Sequence, residues 1–139
     1  MDAASLIPVL MLDLKIGDEL LDICAGPGGK SLAAMQTLKP KRIVCNDIEQ
    51  SRIKRVKYVM QSFLYSKFNE EIGTNIIQYS TRDGQNCPYK HEQEFDKVLC
   101  DVPCYTDRHN LFQDDGNIFK SHLVKERLRL PELQSRLLL

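Results

Sequence analysis

Neither sign of charge is in surplus: 19 lysines and arginines stand against 19 aspartates and glutamates in 139 residues. That balance excludes binding to nucleic acid through a bulk positive field, so any such contact must be local. No apolar run approaches the ~20 residues a helix needs to cross a bilayer. The opening stretch MDAASLIPVL has an acid at Asp2 and no arginine, unlike a signal or transit peptide. Repeats, low-complexity tracts and an interdomain linker are also missing, and one domain over residues 1–139 is expected. The five cysteines, Cys24, Cys45, Cys87, Cys100 and Cys104, are odd in number and sit in or at the ends of strand-like runs. They fit a reducing compartment better than a disulfide framework. None pairs closely with His91, His109 or His122, which argues against a zinc site.

What is present is enough for a core, since 42% of the residues are apolar. Asp2 is placed to cap a short apolar helix through Ala3 to Leu12, and Gly17 breaks the chain before a first strand at Leu20, Leu21 and Ile23. A glycine-rich turn at 26–29 leads into a helix near 30–38, and Arg42 to Asp47 read as a second strand. From about Glu49 a longer helix repeats Ile53, Val56, Met60 and Phe63 at helical spacing, with Arg52, Arg55 and Lys57 facing elsewhere. Asn75 to Tyr79 form a third strand. FDKVLCDVPC, residues 95–104, reads as a fourth, buried one that ends in Asp101, Pro103 and Cys104. The β-α-β-α-β order predicts a parallel, right-handed, doubly wound α/β sheet. Beyond about Lys120 the chain is helical, interrupted by Pro131.

Ligand sites in such sheets lie at the carboxyl ends of the strands. LDICAGPGGKS, residues 21–31, puts glycines where backbone must approach a ligand and where a helix N-terminus offers N–H donors. A phosphate-loop pattern would need glycine where Cys24 stands, and a dinucleotide pattern would want glycine at Ser31. The first reading fails and the second is weakened. Asp47, at the end of the second strand, stands near the spacing at which an acid binds ribose hydroxyls. Asp83 beside Gly84 could accept from an adenine amino group. A tight strand-to-helix connection would explain the glycine loop alone, but not three acids, Asp47, Asp83 and Asp101, at successive strand ends.

Taken in order, CAGPGGKS, CNDIEQSR, the RDG turn and DVPC resemble the motifs of the Sun-family RNA cytosine-C5 methyltransferases. The match runs over nearly the whole chain, and DVPCYTDRHNLF, NIFKS and LPELQ look most like the mitochondrial ribosomal-RNA branch. The resemblance implies a Rossmann-like class I methyltransferase core with strand order 3-2-1-4, its later strands absent. It implies S-adenosylmethionine held by Cys24, Ala25, Gly26, Pro27, Gly28, Gly29, Lys30, Asp47, Arg52, Asp83, Gly84 and Asp101. The family loop usually reads CAAPGGKT, so Gly26 and Ser31 are mild departures. A mitochondrial location, ribosomal RNA as substrate, and a helical-repeat partner of transcription-termination type are also implied; no membrane is.

Carbon 5 of cytosine is a poor nucleophile, so these enzymes add a thiolate at carbon 6 and eliminate it after methyl transfer. By resemblance, Cys104 assists product release, and the nucleophile belongs to a TC segment expected beyond Leu139. Residues 1–139 alone are therefore expected to bind cofactor weakly and not to methylate RNA. The alternative is a non-catalytic cofactor-binding or RNA-assembly module. The side chains of Cys24, Cys45 and Cys100 read as packing groups, and Lys120, Lys125, Arg127 and Arg129 as a solvated face. Asp107 and Arg108 could position RNA backbone or pair with each other.

Overall fold

The computed structural model describes residues 3–64, 76–86, 95–104 and 124–138. Asp2, Asn75, Cys87, His91, Asp107, Arg108, His109, Lys120 and His122 lie outside the described residues. The elements run α1 (Ala3–Met11), β1 (Glu19–Asp22), α2 (Gly29–Gln36), β2 (Arg42–Asn46), α3 (Gln50–Phe63), β3 (Ile77–Ser80), β4 (Lys97–Leu99) and α4 (Val124–Leu138). They fall into two compact units, Met1–Asp101 and Val102–Leu139.

The first unit holds the sheet. All three pairings are parallel, as the alternation of elements predicts, and the order is β3-β2-β1-β4, as the family resemblance implies. The register sets Leu21 beside Val44 on one side and Val98 on the other. The two central strands are buried beyond their first residues, Glu19 and Arg42, with Leu20, Leu21, Ile43, Val44 and Cys45 all within 2% of complete burial. A strand covered on both faces has no polar side to show, which is why LLDI and RIVCN read as runs rather than alternations. At its amino end the sheet is tied by polar groups. Glu19 accepts from Arg42 and Lys41, its backbone N–H donates to Asp96, and the Arg42 guanidinium sits 4.8 Å from the Phe95 ring centre.

Helices α1, α2 and α3 pack in sequence against one another, and Val9, Leu32, Met35, Ile53, Val56 and Met60 join the sheet residues in one core. Phe63, expected on that buried face, is 66% exposed. It is the last residue of α3, and Leu64 after it is already extended, so the face that meets the sheet ends at Met60. The fourth strand is shorter and less buried than expected. It pairs only with β1 among the described strands, Val98 is 48% exposed, and the strand stops at Leu99, leaving Cys100 and Val102 outside it.

In the second unit α4 passes through Pro131 without interruption. A proline in a helix forfeits one hydrogen bond and bends the chain, but its fixed φ suits the helix. The Glu132–Arg136 ion pair one turn on and the buried Leu137 support the continuation. Gln134 donates to the carbonyl of Pro103 at 2.8 Å, anchoring the segment that carries Cys104.

Candidate functional site

Strands β1 and β2 end side by side, and the loop between β1 and α2 folds over their carboxyl ends. Ile23 donates to the Leu99 carbonyl and Ala25 to that of Asn46, so the loop is stitched to β4 and to β2. Gly28 has its least ordinary backbone. With φ at 107° it occupies a region that side chains avoid, and a Cβ there would lie 3.1 Å from the Cα of Val56. Gly28 is also the N-cap of α2, with no side chain capping the helix and no acid in its first turn. Those amides remain available to an anion.

Asn46, fully buried at the end of β2, holds three strand ends together. Its amide donates to the carbonyls of Ile23 and Arg82, and its oxygen accepts from the Arg82 N–H, each at 3.0 Å. Asp47 follows, 2% exposed. Its carboxylate accepts from the N–H groups of Gly26 and Glu49 and from Arg52. A Cβ on Gly26 would meet that carboxylate at 2.6 Å and the Arg52 Cβ at 2.8 Å, so glycine here permits the close approach of loop, acid and arginine.

These elements enclose a cavity of about 480 Å³. Cys24, Ala25, Gly26, Pro27, Gly29, Lys30 and Asp101 line it, so seven of the cofactor-binding residues expected from sequence converge there. Lys30 reaches across to Asp101 at 2.6 Å, joining the glycine loop to the chain two residues beyond β4. Gly28, Asp47 and Arg52 support the loop from behind without lining the cavity. Gly84 opens a short 3₁₀ turn, Gly84–Asn86, and the Asp83 carboxylate just before it accepts from Gln85; neither residue is on the cavity wall. Cys104 is exposed, outside the first unit, and forms no disulfide.

Sequence reasoning missed Asp22, the most unusual group of the site. It ends β1 at 1% exposure and lines the cavity. One carboxylate oxygen accepts from the Ser31 hydroxyl, while the other, Oδ1, is buried without a partner. Burial pushes its carboxyl up to about 7, a rise that Ser31 opposes and Asp101 adds to. An acid closing an otherwise apolar buried strand was the available signal. Arg55, Val59 and Phe63 also line the cavity, and their spacing of four residues along α3 gives them one flank of that helix.

Cys24 and Cys45 are held as neutral thiols. Burial, with Cys100 and three nearby aspartates, pushes the Cys24 thiol up to about 12, and burial does the same to Cys45. Both remain packing groups. Among the described residues no cluster of histidine, cysteine and acid could hold a metal ion.

The cavity fits a small cationic ligand with an anionic end, since its lining includes both Asp22, with an orphaned buried carboxylate oxygen, and the uncapped first residues of α2. Comparison with known proteins agrees. A family model described as 16S rRNA methyltransferase RsmB/F matches residues 9–138. The 5-cytosine rRNA methyltransferase NSUN4 of Mus musculus is 44% identical over 99% of this chain, which covers 35% of that protein. The mitochondrial tRNA (cytosine(34)-C(5))-methyltransferase of the same species is 37% identical over 99% of the chain and 38% of its own length. The chain thus spans about a third of the curated relatives it matches. In fold it superimposes on NSun6 from Pyrococcus horikoshii, solved with SFG, with a TM-score of 0.71 at 19% identity over 99% of this chain and 32% of that one. A glycine loop, a parallel sheet in the order 3-2-1-4 and a family match over 9–138 lead to one conclusion: the chain belongs to the RsmB/F family of RNA methyltransferases.

Proposed function

We propose that this chain forms the cofactor-binding part of an S-adenosylmethionine-dependent RNA cytosine-C5 methyltransferase that acts on mitochondrial ribosomal RNA. The observation that carries the reading is the cavity itself, where the unpartnered Asp22 Oδ1 lies beside a glycine loop and the uncapped start of α2. S-adenosylmethionine has an ammonium and a carboxylate at one end, and when bound it supplies an electrophilic methyl group. Asp22 would accept from the ammonium, replacing the partner its buried oxygen lacks. The first amides of α2 would receive the carboxylate. By resemblance, Asp47, Arg52, Asp83 and Gly84 complete the nucleoside end.

Lys30 pairs with Asp101 on the cavity wall, where the acid can accept from the exocyclic amine of an extruded cytosine. Cys104, exposed and free of a disulfide, is assigned by resemblance to release of the methylated product. The substrate rests on relatives named for rRNA methylation, and the compartment on the relatives whose names place them in mitochondria. A helical-repeat protein partner rests on the resemblance alone.

The test is calorimetric titration of the chain with S-adenosylmethionine and, separately, NAD. The expected result is saturable binding of the first only, with a gain of about 2.7 kcal/mol in unfolding free energy at a ligand concentration of about 100 times Kd. Binding of NAD, or no binding of S-adenosylmethionine, would overturn the reading.

A further inference from the structure

Helix α3 carries Arg52, Lys54, Arg55 and Lys57 within six residues, and no aspartate or glutamate between Gln50 and Phe63. Cations in the first half of a helix oppose its dipole, and like charges three residues apart repel. The fold accounts for one of the four, since Arg52 pairs with Asp47. Among the described residues Lys54, Arg55 and Lys57 reach no carboxylate. Two of them rest instead on rings: Arg55 lies 5.4 Å from the ring centre of Tyr58, and Lys57 lies 5.0 Å from that of Tyr79. A ring steadies a cation without neutralising it.

The helical period arranges Lys57, Lys54, Tyr58, Arg55 and Phe63 in that order across the exposed part of α3. Tyr58 and Phe63 are large rings 60% and 66% exposed, the Tyr58 ring carrying the Arg55 guanidinium. Arg55 and Phe63 also line the cavity, so the band runs from open surface into the site. Cations spaced along a band with open aromatic faces among them are what single-stranded nucleic acid requires: charge for phosphates and π-faces for bases. A neutral chain must place such a surface locally, and among the described residues α3 carries three cations with no carboxylate partner.

We infer that the exposed face of α3 is a track for single-stranded RNA, with Lys54, Arg55 and Lys57 neutralising phosphates and Tyr58 and Phe63 stacking bases as the strand enters the cavity. That the nucleic acid is RNA rests on the proposed function; the surface itself does not.

The test measures binding of a fluorescein-labelled single-stranded RNA of about 16 nucleotides by anisotropy across a salt series. The double variant Lys54→Gln, Lys57→Gln should lower the slope of log affinity against log salt by about 1.4, at roughly 0.7 per lost phosphate contact. Tyr58→Ala should weaken binding roughly five- to 100-fold, leaving the slope unchanged, because stacking releases no ions. All three side chains are exposed, so thermal melting of the variants should match the parent. Unchanged slope and affinity in the variants, or no RNA binding by the parent, would overturn the inference. The parent's titration with S-adenosylmethionine judges the proposed function separately, so the track can fail while that reading stands.

Discussion

At Asp22 a single side chain links the stability of the fold to its chemistry. Burial raises its carboxyl from the ordinary 3.8 to about 7, so between those values the folded chain holds a proton that the unfolded chain has released. Stability from this group is therefore greatest at the acid end of that window and falls as pH rises through it. The melting temperature should drop between about pH 5 and about pH 7.5, and the drop should flatten in Asp22→Asn. An identical pH profile in that variant would assign the dependence to another group. Gly28 makes a different kind of demand. Gly28→Ala sets a side chain at a φ of 107° and against the backbone of Val56, and should cost roughly 1–3 kcal/mol, read from the denaturant midpoint. Both residues lie within a segment singled out from sequence, but only the glycine was recognised there. Glycine announces an unusual backbone by its identity, whereas the missing partner of Asp22 exists only after folding.

Among the elements, α3 divides its work by face. Met60 is 1% exposed and Phe63, three residues on, is 66% exposed. Met60→Ala should destabilise by about 2–5 kcal/mol with an unchanged denaturant slope, while Phe63→Ser should cost no more than ~0.5 kcal/mol. Helical spacing alone puts both on the inner face, because periodicity gives direction around the axis and not the length over which the sheet is met. The same gap explains β4, where Val98 looks as apolar as Leu99 but stands on the open side of the pairing. It explains α4 as well, since Pro131 marks a weak point in a helix and the contacts of Leu137 and Gln134 decide whether the helix continues.

At the scale of the whole molecule the parallel direction of the strands was legible in the alternation of helices and strands, while their order came from the family resemblance. The cavity was half legible. Residues contiguous in the loop were found as a motif, while Arg55, Val59 and Phe63 enter the wall only because α3 packs beside α2. Among the described residues no helix is long and apolar enough to cross a membrane.

The pairing of β1 with β4 has a consequence in time. The Glu19 N–H meets the Asp96 carboxylate across 77 residues of sequence, whereas the bonds that join β1 to β2 span little more than 20. Closing so long a loop is entropically dearer and slower than closing a short one. The strand that delivers Asp101 is therefore the natural last arrival, and Lys30 waits for it. A chain still short of that step has its glycine loop but only one side of the cavity, so ligand affinity should appear abruptly, with the final docking of the sheet.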